Sequence, residues 1–208
     1  MTHRGLLWRV CQVIAYTGTW AYFGLRVSGV ENVPATGGVL LASNHASYLD
    51  PVLVAVRLKR PVSFMARASL FRNRLFAALI TALHAFPIQQ GKGDRGAINE
   101  TIERLKQGHA LNLYPEGTRT PDGKLQKILP GVALVARKAG VPIVPVYIHG
   151  SFQCWPLHKK FPRPGRIGVL YGPPMKIDGM KAEEICQLID QTFHQLEAQA
   201  VALWGGAT

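Results

Sequence analysis

The stretch from residue 38 to residue 58 leaves the chain around it little freedom. Residues 38–42, Gly-Val-Leu-Leu-Ala, form an apolar run that reads as a buried strand ending in a turn. Pro51 suits the first position of a helix and Asp50 the N-cap before it, with residues 52–58 continuing as helix. Between them stand Asn44-His45-Ala46-Ser47-Tyr48-Leu49. On a straight α-helix, residues five apart are rotated by about 500°, roughly 140° around the axis, so His45 and Asp50 would not share a face. They meet only if the chain turns between them. A strand, a turn bearing ionisable groups and a helix in that order fit an α/β sheet, where strand ends present catalytic side chains.

Asp50 admits two readings. It can be a cap and nothing more. Alternatively its carboxylate accepts a hydrogen bond from one imidazole nitrogen of His45, which fixes the tautomer and leaves the other nitrogen to take a proton from a hydroxyl nucleophile. The His-x-x-x-x-Asp pattern alone is common by chance and does not decide between them.

A second motif changes the balance. Residues 110–114 read as another strand, and Pro115-Glu116-Gly117-Thr118-Arg119 as a tight turn leaving it, with Gly117 free to adopt positive φ. A turn needs proline and glycine; it does not need a carboxylate and a guanidinium flanking a hydroxyl. Glu116 can accept from substrate hydroxyls, and Arg119 offers a planar fork suited to a phosphate.

Further strands are expected at 39–43, 62–66, 85–88, 109–114, 142–148 and 166–171, with helices at 94–106 and 131–139. Ile185, Leu188, Ile189, Phe193 and Leu196 recur at helical spacing and mark a C-terminal packing helix. The alternation implies an α/β fold, a single domain with a largely parallel sheet covered by helices on both faces. At 208 residues with 48% hydrophobic content, one substantial core is affordable. Residues 155–165, with three prolines among basic side chains, read as a long surface loop.

The net charge of +12 is uneven. Residues 52–92 carry Arg57, Lys59, Arg60, Arg67, Arg72, Arg74 and Lys92 but no acid, and residues 124–176 are again basic without an acid. Such surfaces attract anionic headgroups, coenzyme A phosphates or an acidic carrier protein. Nucleic acid would be attracted equally, but no recognisable nucleic-acid module accompanies the charge and none is expected as a partner. Residues 6–25 are predominantly apolar and aromatic; as a helix they would reach about 30 Å, the thickness of the hydrocarbon core. Arg9 and Gln12 interrupt the run, so a helix lying in or dipping into one leaflet is expected rather than a full span. No small-residue cleavage site precedes Arg26, so no cleaved signal is expected. Residues 1–25 are thus expected as a membrane-associated helix, dispensable for folding, and 26–208 as the catalytic domain. Residues 70–80 read as a second apolar helix, with two arginines, meeting either a bilayer or the core. Cys11, Cys154 and Cys186 are isolated, as suits a reducing compartment. His84, His109, His149 and His158 lack ligand spacing, and no metal or other cofactor is expected.

Taken together, Asn44-His45…Asp50 and Pro115-Glu116-Gly117-Thr118-Arg119 resemble the glycerolipid acyltransferases related to bacterial 1-acyl-glycerol-3-phosphate acyltransferase. The resemblance covers roughly residues 27–175; residues 86–94 and 139–146 look like further blocks of that family. It implies a glycerol-3-phosphate acyltransferase-like fold and an enzyme of phospholipid biosynthesis at the cytoplasmic face of the cell membrane. It also implies acyl-CoA or acyl-carrier protein as donor, and a lysophospholipid acceptor that becomes phosphatidate. His45 would be the base and Asp50 its orienting acid. Glu116, Gly117, Thr118 and Arg119 would position the acceptor, with Asn44 and Ser47 beside them. Gln89 and Gln90 stand where the family commonly carries arginine for the acceptor phosphate. Either Lys92 or Arg95 takes over, or the acceptor is not a simple phosphate monoester; glycerol 3-phosphate, a lyso-aminolipid or another lysophospholipid are the alternative acceptors. A membrane lipid-binding protein without catalysis is the remaining alternative, but it has no reason to keep a base and its orienting acid.

Overall fold

The computed structural model of the chain describes residues 3–88 and 95–206. Its centre is a seven-stranded sheet: β1 (Arg26–Ser28), β2 (Val39–Ser43), β3 (Val62–Arg67), β4 (Ala85–Ile88), β5 (Ala110–Leu113), β6 (Ile143–His149) and β7 (Gly168–Tyr171). They lie in the order β1-β7-β6-β2-β5-β3-β4. Every pairing is parallel except β6 with β7. The strands are joined by helices α1 (His3–Phe23), α2 (Asp50–Ala55), α3 (Arg74–Ala82), α4 (Arg95–Lys106), α5 (Gly131–Ala139), α6 (Ser151–Cys154) and α7 (Ala182–Trp204).

β2 shows why the sequence folds this way. All five of its residues are buried, and because successive strand side chains point to opposite faces it feeds two cores. Val39 and Leu41 join Leu53 and Val54 of α2 and Val144 and Val146 of β6 on one face. Leu40 and Ala42 join residues of α4, α5 and α7 on the other. A strand buried on both faces needs a continuous apolar run rather than an alternating one, which is what residues 38–42 supply.

The structure adds to the sequence reading or departs from it in three places. β1 escaped the sequence reading because it is three residues long with only its middle residue withdrawn from solvent, too short to show a period. β7 runs antiparallel because the chain returns from β6 through the four-residue α6 and the irregular stretch that follows, with no crossover helix to carry it back to a parallel start. The apolar stretch at 70–80 is not one helix. A 3₁₀ turn covers Ala68–Phe71, and α3 starts afresh where the Asn73 side chain accepts from the Phe76 N–H at 3.0 Å. No residue of α3 is buried, so it is not a core helix. In α7, Ile185, Ile189, Phe193 and Leu196 enter the core as the spacing required, while Leu188 is only half-buried.

α1 is tied to the domain more firmly than a dispensable anchor would be. Trp8, Phe23 and Leu25 are buried, Phe23 and Leu25 within the central core. The Gln12 side chain donates to the carbonyls of Ala55 and Leu58 at 3.1 and 2.6 Å. Among the described residues, no helix is long and apolar enough to cross a membrane.

Candidate active site

The turn after β2 is built by side chains answering backbone groups. Asn44 extends the β2–β6 ladder: its amide donates to the Ile148 carbonyl at 3.0 Å and its oxygen accepts the Ile148 N–H at 2.7 Å. Ser47 donates to the Trp155 carbonyl at 2.8 Å and accepts the Leu49 N–H at 3.2 Å. Both are buried. Their polar atoms therefore shape the turn.

That turn brings His45 to Asp50. Nδ1 of His45 lies 2.8 Å from Oδ2 of Asp50, which also accepts the N–H groups of Ala46 and Ser47, each at 2.7 Å. Asp50 is not the N-cap the sequence suggested. It is the first residue of α2, with Leu49 flanking the helix, and it reaches back to amides that precede it, not forward into the helix. Three donors on one oxygen of a fully buried carboxylate hold negative charge there. An acceptor at Nδ1 assigns the proton to that nitrogen and leaves Nε2 with the lone pair. The imidazole side chain keeps 18% of its surface accessible, enough for a substrate to reach it. Tyr114 covers one face, its ring 3.7 Å away centroid to centroid and 14° from parallel.

The turn after β5 is fastened to the same histidine. Gly117 takes φ 71° and closes the turn by donating to the Tyr114 carbonyl at 3.0 Å, a conformation that favours glycine. Glu116 is buried; its Oε1 accepts the His45 N–H at 2.9 Å and its Oε2 accepts the Gln126 N–H at 3.1 Å. Thr120 N–H donates to the His45 carbonyl at 2.8 Å. Glu116 thus braces the two turns, with both oxygens already accepting backbone amides. Burial pushes its carboxyl up to about 7, against the pull of those two amides and helped by the nearby charge of Asp50.

Arg119 lies with its guanidinium carbon 3.8 Å from the centre of the Tyr48 ring. It makes no hydrogen bond or ion pair among the described residues, so its N–H donors are available to a ligand. Thr118 and Gly117 are exposed. Arg95 opens α4 on the carboxyl side of β4, the end of the sheet that carries the His45 turn. Lys92, Gln89 and Gln90 lie outside the described residues. Sequence reasoning did not find the roles of Tyr48, Tyr114 and Trp155 beside the site. Their contacts cross between turns far apart in the chain, and no local pattern signals them. Among the described residues, no group of three or more His, Cys, Asp or Glu side chains could hold a metal ion. A cleft of about 410 Å³ between Ala136 and Met180 lies at the opposite end of β6 and includes neither His45 nor Asp50.

With that geometry in view, the acyltransferase family model matches residues 24–149, more than half of the chain. The chain belongs to the acyltransferase family. This acyltransferase is 29% identical over 153 residues to the 1-acyl-sn-glycerol-3-phosphate acyltransferase of Bacillus subtilis, covering 73% of this chain and 74% of that one. It is 25% identical over 181 residues to a chloroplastic 1-acyl-sn-glycerol-3-phosphate acyltransferase of Arabidopsis thaliana, covering 85% of this chain but 50% of the plant protein. The chain therefore spans about half the length of that relative. Among solved structures it resembles the 1-acyl-sn-glycerophosphate acyltransferase PlsC of Thermotoga maritima, with a TM-score of 0.80, 26% identity, and coverage of 92% of this chain and 79% of that one.

Proposed function

We propose that this acyltransferase moves a fatty acyl group from a thioester, acyl-CoA or acyl-carrier protein, to the sn-2 hydroxyl of 1-acyl-glycerol 3-phosphate, giving phosphatidate. One observation carries the chemistry: the 2.8 Å contact between His45 Nδ1 and an Asp50 oxygen that also gathers two amides. With Nδ1 so held, Nε2 takes the proton of the acceptor hydroxyl as its oxygen attacks the thioester carbon. The tetrahedral intermediate collapses with loss of the thiolate, which recovers the proton from His45. No bond to the enzyme forms. Arg119, which makes no hydrogen bond or ion pair among the described residues, offers its planar fork to the acceptor phosphate, with Gly117 and Thr118 exposed beside it and Arg95 as a further candidate. The names of the relatives support the acceptor. Gln89 and Gln90 favour a second reading, in which the acceptor is a lysolipid with a different headgroup.

The membrane reading concerns α1 and α3, which pack against each other. Val13, Ile14 and Trp20 of α1 are exposed, as are Leu75, Phe76 and Leu79 of α3. Arg72 and Arg74 stand at the start of α3. Apolar side chains beside arginines suit a helix pair resting on an anionic leaflet, here the cytoplasmic face of the cell membrane. Residues 1–25 are then the membrane-associated helix of a catalytic unit at 26–208. Purified protein offered labelled acyl-CoA or acyl-carrier protein with a panel of acceptors tests the function. Turnover should be fastest with 1-acyl-glycerol 3-phosphate; preference for an acceptor without a phosphate monoester would replace it with the second reading.

A further inference from the structure

Tyr48 sits in the turn between His45 and Asp50, yet neither the base nor its carboxylate uses it. The residue is 46% exposed, and two groups lie against its ring. The Arg119 guanidinium carbon is 3.8 Å from one ring centre, and the Trp155 ring is 5.3 Å away at 46°. Trp155 is itself anchored, its carbonyl accepting from Ser47 at 2.8 Å and its indole N–H donating to the Lys159 carbonyl at 3.1 Å.

The backbone of the Arg119 turn is equally fixed. Bonds on either side of Arg119, from Glu116 and from Thr120, lead to the two backbone groups of His45. What remains loose in such an arrangement is the long arginine side chain, which carries several rotatable bonds and makes no ion pair or hydrogen bond among the described residues. A guanidinium lying over an aromatic face keeps its edge donors free while losing rotational freedom. We propose that Tyr48 is the positioning residue that holds Arg119 in place for the acceptor phosphate. The inference rests on the reading that Arg119 binds that phosphate.

The test compares Tyr48→Leu, Tyr48→Phe, Arg119→Ala and the double variant Tyr48→Leu/Arg119→Ala of the full chain, with 1-acyl-glycerol 3-phosphate as acceptor. Tyr48→Leu should raise the acceptor KM about two- to fivefold, the size of one exposed cation–π contact, with kcat and donor KM unchanged. Tyr48→Phe keeps the ring and should restore the acceptor KM. The double variant should be no worse than Arg119→Ala alone, because without the guanidinium the ring has nothing to hold. If Arg119→Ala raises the acceptor KM but Tyr48→Leu does not, or if their effects simply multiply, the positioning role is overturned and the phosphate reading stands. If Arg119→Ala leaves the acceptor KM unchanged, the phosphate reading fails and this role with it.

Discussion

Glu116 carries two opposed demands. Two backbone amides point at its oxygens and favour the anion, while burial and the charge of Asp50 favour the acid; burial is the larger influence and the carboxyl titrates at about 7 instead of its ordinary 4.5. A carboxyl raised in the folded state binds its proton more tightly there than in the unfolded chain. Its contribution to stability is therefore complete below about 4.5 and is lost as pH rises through about 7. Glu116→Gln cannot ionise, so the stability difference between wild type and variant should favour wild type more at pH 5 than at pH 8. Urea midpoints of both proteins at the two pH values measure it, and a difference independent of pH would show that Glu116 does not titrate in this range. Tyr114 stands in contrast. Its hydroxyl is buried with no hydrogen-bond partner among the described residues, and burial raises its ionisation well above the usual range. What Tyr114 contributes is its ring, against which the His45 imidazole is stacked.

At the scale of elements, the strands that were legible are those whose apolar runs follow a glycine or proline, such as 39–43 after Gly38 and 62–66 after Pro61. Helices α4 and α5 fell within a residue of their expected bounds for the same reason, since their breakers are local. What was not legible depends on partners distant in the chain. β1 exists because β7 pairs with it, and Glu116 became a brace because the His45 N–H lies within reach. The boundary after residue 25 looks clean on hydropathy alone. In the fold, Trp8, Phe23 and Leu25 are buried, each worth roughly 1.5–3 kcal/mol, so removing residues 1–25 would cost much of a typical stability. Substituting the exposed side is the better test of the membrane role. Val13→Ser, Ile14→Ser and Trp20→Ser together should leave the protein folded, abolish flotation with neutral vesicles, and leave binding to anionic vesicles that weakens as salt rises. Unchanged flotation with both vesicle types would take α1 out of the membrane account.

Across the whole molecule, the parallel sheet gathers chemistry at one end. β2 and β5 are neighbours running the same way, so the turns that leave them, carrying His45 and Asp50 on one and Glu116 and Arg119 on the other, open side by side. Residues about seventy positions apart thereby share one site. The stretches 52–92 and 124–176, basic and without an acid, carry charge suited to phosphorylated substrates and anionic lipid. The acyltransferase reading depends most on one atom, Nε2 of His45, taking a proton from the acceptor. Its direct test is the acylation of 1-acyl-glycerol 3-phosphate by the His45→Ala variant, with folding checked by its thermal transition. Turnover should fall by at least ~10²-fold, the usual loss when a general base is removed, with the variant still folded; near wild-type turnover by a folded His45→Ala protein would contradict the mechanism.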